Sequence, residues 1–237
     1  MNKRSRLLVV GTLAWMLNSG QPLRADCRER VILEKANAVL VELEARYCNR
    51  LALAALRNTE GVAAFPGTIK AAALVGGRRG RGVLMVREED GSWGPPLFLT
   101  LSGASFGNQL GLEATDMVFM LRTRSSLESL KKGRLTLGAG VTLAVGPLGQ
   151  DKGLGTDVCL KTGFVYASHS RGLFAGVYAE GACLSMDAPA TAAYQQWEQA
   201  YWQSVRRTGR EAPPSLRLQM KLAQLSATPP TLETMSP

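Results

Sequence analysis

Histidine is almost missing from this chain. His169 is the single imidazole in 237 residues, which excludes multi-histidine zinc sites and HExxH chemistry. Aromatic residues are sparse at 6%, and cysteines number four with no CxxC spacing, so a redox dithiol and a zinc knuckle are both excluded. No Walker A loop is present. Gly153-Leu154-Gly155 lacks the third glycine and the strand-to-helix setting of a dinucleotide site. The longest apolar run, Leu7 to Leu17, falls short of the roughly 20 residues that span a bilayer. Charged residues make up 20% and apolar ones 46%, which excludes a largely disordered chain.

The N-terminus has the pattern of an export signal over residues 1–25. Lys3, Arg4 and Arg6 precede the apolar run, and Leu23-Arg24-Ala25 ends in a small residue suited to cleavage. The expected location after cleavage near Ala25 is periplasmic or secreted, peripheral to a membrane. Cleavage removes four basic residues and no acidic ones, leaving 24 against 19 and a balance of +5 instead of +9. That modest surplus points to anionic lipid or envelope polymers before nucleic acid. Export also permits disulfides. The favoured pairing is Cys159–Cys183, on either side of a hairpin expected to turn at His169-Ser170-Arg171-Gly172, with Cys27–Cys48 as the remaining pair.

Past the signal, Ile32, Ala36, Val39, Leu40 and Leu43 recur at helical spacing between Arg28 and Tyr47. A shorter helical piece runs from Leu51 to Arg57, and Glu60–Phe65 reads as a connector. The middle of the chain reads as β-structure: Val83–Val86, Leu97–Leu101, Met117–Leu121, and the hairpin Val158–Ser168 with Leu173–Cys183. Ser125-x-x-Glu128 has capping-box spacing for a short helix ending at Gly133. Leu135, Leu137, Ala139, Val141, Leu143 and Val145 alternate with small residues, giving one bulky and one bare face. Pro189 opens a last helix that carries Tyr194, Trp197, Tyr201 and Val205 on one stripe, before Pro213-Pro214 and a tail over residues 209–237. The expected architecture is α+β: a strongly bent antiparallel sheet or partial barrel, flanked by N- and C-terminal helices, in one domain over residues 26–208.

Catalytic constellations are weak. His169 lies between Ser168 and Ser170 in the expected turn, and Glu113 with Asp116 is the nearest carboxylate pair. Neither makes a case for an enzyme, a cofactor or a metal. Two features suit binding. The glycine-spaced guanidiniums Arg78, Arg79 and Arg81, with Arg87 close by, suit phosphate groups; Lys131, Lys132 and Arg134 form a second basic group. The aromatic stripe of the last helix offers a docking face for an unidentified protein partner, the alternative to lipid binding.

The ordered strings Ala64-Phe65-Pro66, Lys70-Ala71-Ala72, Gly76–Gly82, Gly91-Ser92-Trp93-Gly94-Pro95-Pro96 and Gly103–Gly111 resemble the SYLF-domain family. The resemblance continues at Leu137–Val141, Gly146–Gly149 and Ser170–Gly176, so it covers roughly residues 60–190. It implies a non-catalytic lipid-binding module, with eukaryotic relatives that bind phosphoinositides and regulate actin patches and bacterial relatives that are exported. For an exported chain it implies anionic phospholipid or lipopolysaccharide as the ligand.

Overall fold

The computed structural model describes residues 22–46, 56–144, 164–208 and 211–227, with residues 22–27, 43, 45, 46, 109, 137–144, 164–180, 207 and 208 described by their backbone. The first helix, α1 (Pro22–Arg46), buries Ile32, Leu33, Ala36 and Leu40, the stripe that its three- and four-residue spacing dictates. Three very long strands follow from segments that read locally as short strands and turns. They are β1 (Gly61–Val86), β2 (Leu97–Leu121) and β4 (Phe164–Met186). A shorter β3 (Arg134–Ala144) completes an antiparallel sheet of order β1-β2-β4-β3 among the described residues.

A straight strand of the 26 residues in β1 would reach about 85 Å, far beyond the thickness of one small domain, so β1 bends back on itself. Its two ends meet where the Arg87 amide donates to the Glu60 carbonyl at 2.8 Å. Gly82 sits so close to the start of the same strand that a β-carbon there would lie 2.4 Å from the Ala64 carbonyl oxygen and 2.6 Å from the Phe65 ring. Gly80 meets Thr68 in the same way. These glycines allow the two halves of β1 to cross. The sheet therefore coils into an open, partial barrel.

Both faces of the crossed ends are covered. On one side α1, α3 (Ala188–Thr208) and α4 (Pro214–Ala227) enclose Val62, Ala64, Val83, Met85, Phe98, Val118 and Met120. On the other, α2 (Arg124–Lys131) sets Leu127 and Leu130 against Ala63, Phe65, Leu84, Leu99, Leu101 and Phe119. The crest of the bend is different. There Thr68, Lys70, Ser105, Glu113 and Thr115 are buried, while Ile69, Leu74, Val75, Phe106, Leu110 and Leu112 are exposed.

The structure corrects several local readings. Leu97–Leu101 and Met117–Leu121 are the two ends of one strand, and Gly61–Phe65 of the expected connector are the first residues of β1. The arginine–glycine run is a strand segment paired with residues 99–105. His169–Gly172 lies in the middle of β4, paired with Asp116–Glu113, so the expected hairpin is absent and with it the geometric basis for Cys159–Cys183. Cys183 is half-buried on β4; Cys159, Cys48 and the Cys27 side chain lie outside the described residues. The cap of α2 is Thr123, whose hydroxyl accepts from the Ser126 amide at 3.3 Å; Ser125, the expected cap, is inside the helix. Beyond residue 208, α4 packs Leu218, Leu222 and Leu225 into the core, so the domain extends further than the proline pair suggests. Residues 1–21, where most of the export signal falls, lie outside the described residues.

Candidate functional site

The basic residues divide into two classes once the sheet is formed. Arg81 points from β1 toward the helical layer. Its Nη2 donates to Asp187 Oδ2 at 2.7 Å and to Glu29 Oε1 at 3.3 Å. Glu29 is a buried residue of α1. Asp187 caps α3: its Oδ1 accepts from the Ala190 amide at 3.2 Å, as a carboxylate at a helix start should. One guanidinium thus ties a strand to two helices. Arg87 is also committed, stacking over Trp93 at 4.7 Å and donating to Ser226 Oγ of α4 at 3.0 Å. Arg78 is half-buried, with Nη1 at 3.1 Å from Met117 Sδ.

Arg79, Lys131, Lys132 and Arg134 are exposed. Among the described residues none of these four forms an ion pair. Lys131 stands in the last turn of α2 and Lys132 at its C-cap, where the helix dipole favours cations. The register Arg81↔Thr100, Thr100↔Ser185, Ser185↔Arg134 puts the two basic groups on one cross-sheet row. Three strand spacings of about 4.8 Å separate them by about 14 Å, on opposite edges of the sheet. Two further exposed arginines, Arg122 and Arg124, flank the N-terminus of α2, with Arg124 3.6 Å from Glu60. Their bracketing of one short helix together with Lys131 and Lys132 was the signal that could have found them.

The carboxylate pair comes apart. Glu113 is buried and accepts from Thr115 Oγ1 at 2.6 Å. Asp116, of opposite parity on β2, accepts from the Gly67 amide at 2.6 Å and holds the irregularity at Pro66-Gly67. The aromatic stripe is internal packing: Phe98, Tyr194, Trp197 and Tyr201 form a ladder with centroid separations of 5.4, 5.3 and 4.7 Å. Arg30 of α1 stacks over Trp197 at 5.0 Å. Tyr194 is fully buried, and burial pushes its phenol well above the usual tyrosine range. Its hydroxyl has no well-formed hydrogen bond, and the neighbouring Ser215 hydroxyl donates to Glu198. Tyr194 is thus taken up in the core, whereas Trp197 and Tyr201 are half-buried and Trp202 is exposed, at 36%. No helix among the described residues is long and apolar enough to cross a membrane.

Comparisons with known proteins agree with the ordered strings. Residues 102–221 match the Ysc84 family model, described as Las17-binding protein actin regulator. LAS seventeen-binding protein 3 of Saccharomyces cerevisiae is 37% identical over 133 residues, covering 54% of this chain and 28% of the relative. SH3 domain-containing YSC84-like protein 1 of Homo sapiens is 42% identical over 120 residues, covering 49% of this chain and 34% of the relative. The chain thus spans about a third of the length of these relatives. No solved structure matches. With a family model matched over half its length and the same strings in order, this chain belongs to the Ysc84, or SYLF-domain, family.

Proposed function

We propose that the chain is a non-catalytic binder of anionic lipid head groups at an envelope membrane. The observation that carries this reading is the exposure of Arg79 on β1, Arg134 on β3, and Lys131 and Lys132 at the C-terminal end of α2. Four cations held by secondary structure add about 1 kcal/mol each beside an anionic leaflet, within a Debye length of its surface. Arg81 and Arg87 are kept out of that count, because their guanidiniums are used in holding helices to the sheet. Residues 1–25 act as a cleaved export signal in this reading, which places the domain outside the cytoplasm.

Co-sedimentation of the full chain with phosphatidylcholine vesicles, with and without phosphatidylglycerol, tests the reading. Binding to the anionic vesicles that falls with added salt is expected. Equal binding to both vesicle types removes the proposal. For location, N-terminal sequencing of the protein recovered from its host should begin at Asp26; a start at Met1 removes that part.

A further inference from the structure

The alternation of a half-buried strand normally turns apolar residues inward and polar ones to water. At the crest of the bend in β1 and β2 it is reversed. The inner face carries Thr68 at 0%, Lys70 at 1%, Ser105 at 4%, Glu113 at 6% and Thr115 at 1% exposure. The outer face carries Ile69 at 48%, Val75 at 64%, Phe106 at 72%, Leu110 at 71% and Leu112 at 62%. Cross-strand register joins these into one surface: Val75 is opposite Phe106, Ala73 opposite Leu110 and Ala71 opposite Leu112. The rows continue in β4, where Ala179, Ala175 and Leu173 are the register partners of Phe106, Leu110 and Leu112. Polar-inside, apolar-outside strands are the pattern of β-structure that faces lipid, and apolar surface of this extent marks an interaction site.

Two more observations specify the occupant. Leu74, 64% exposed, sits at φ 67° in the register shift between Ala73 and Val75. A left-handed turn is cheap for glycine and strained for leucine, yet an apolar side chain is displayed there. The fully exposed charge beside the crest is a cation: Arg79 is exposed and Arg78 half-buried. Lys70 and Glu113 are buried, and Arg81 is paired with Asp187 and Glu29. Asp116, on the outer face of β2, is half-buried and accepts from the Gly67 amide. Arg79 shares the outer face with Val75, four residues or about 13 Å along the strand. An apolar crest with an exposed arginine at its margin complements an anionic bilayer.

We propose that this crest is the part of the molecule that enters the bilayer. Phe106, Leu110, Leu112, Val75 and Leu74 wedge beneath the head groups while Arg79 engages the phosphates at the rim. The proposal rests on the lipid-binding reading and assigns its depth and orientation.

The test uses the full chain with the phosphatidylglycerol vesicles described above. A Phe106→Ser/Leu110→Ser/Leu112→Ser variant should bind about tenfold or more weakly, since apolar burial scales with the area withdrawn from water. Its residual binding should be entirely lost in high salt, whereas the parent retains part of its own. Anionic preference that persists at parental affinity in the serine variant overturns the crest while leaving head-group binding intact. Loss of anionic preference in the parent itself overturns the underlying reading. As a readout independent of folding, a Phe106→Trp chain should show added emission that is blue-shifted and quenched by brominated lipid, and no added quenching overturns the proposal. Sedimentation velocity without vesicles should show a monomer; a dimer that the serine variant abolishes assigns the crest to self-association and also overturns it.

Discussion

Replacing Arg81 with alanine separates a structural arginine from a ligand-binding one. The substitution removes the guanidinium shared by Asp187, 20% exposed, and Glu29, 3% exposed, while Arg81 itself is 30% exposed. Glu29 Oε2 already has no partner, so its carboxylate would lose the cation that compensates its burial. Breaking a fully buried pair costs about 3–5 kcal/mol and a surface pair about 0–1 kcal/mol; the partial exposure of Arg81 puts this loss at about 2–3 kcal/mol. For a domain of this size that lowers Tm by about 4–12 °C. Thermal denaturation of the full chain, followed by far-UV circular dichroism, reads the shift. Arg79→Ala, on the exposed face, should stay within about 0.5 kcal/mol of the parent. Adding Glu29→Gln to Arg81→Ala should recover part of the loss, because the stranded charge is gone. An Arg81→Ala chain with parental Tm and reduced vesicle binding would refute the division of the basic residues made above.

Three other outcomes follow from the packing. Gly82→Ala places a β-carbon against the Ala64 carbonyl and should cost about 1–3 kcal/mol by overpacking, whereas Gly77→Ala, with nothing near it, should cost less in the same urea titration. The Tyr194 phenol is raised above its unfolded value of 10.0, so the unfolded chain releases that proton first and stability falls as pH rises above about 10. In Tyr194→Phe this alkaline loss should shrink in denaturation midpoints measured on either side of that pH, with stability at pH 7 held or improved because an unsatisfied buried hydroxyl is removed. Truncation before Pro214 strips Leu218, Leu222 and Leu225 from the core and should abolish cooperative unfolding, an outcome that a loose tail would not produce.

The parts of the fold governed by local rules were legible in the chain itself. The stripe of α1 and the start of α3 at Pro189 follow from spacing and a helix-compatible proline. The long strands were not legible, because their glycines imitate turns. Gly80 and Gly82 are set by the crossing of β1 over its own beginning, and a contact between residues 64 and 82 leaves no mark at short range. Gly172 misleads in the same way within β4. Helix α4 was hidden by Pro213-Pro214, which reads as a stop although proline also suits the first helical turn. At the candidate site, the arginines were identifiable by type and spacing. Arg79 and Arg81 share one face of β1; their division depends on how far along the strand the helices reach, with Arg81 meeting Glu29 and Asp187 and Arg79 left facing solvent. The exposed crest escaped notice for a related reason. Alternation shows that one face is bulky, but only the bend decides that this face is outward.

The most direct measurement of the central claim is the salt dependence of vesicle affinity for the full chain and for an Arg79→Ser/Lys131→Ser/Lys132→Ser/Arg134→Ser variant. At about 1 kcal/mol for each cation near an anionic leaflet, the four together account for on the order of 100- to 1,000-fold in affinity. The variant should lose that affinity for phosphatidylglycerol vesicles at low salt, show a flatter salt dependence and keep the parental Tm. Parental affinity and salt slope in a folded variant would contradict the assignment of these residues to head-group binding.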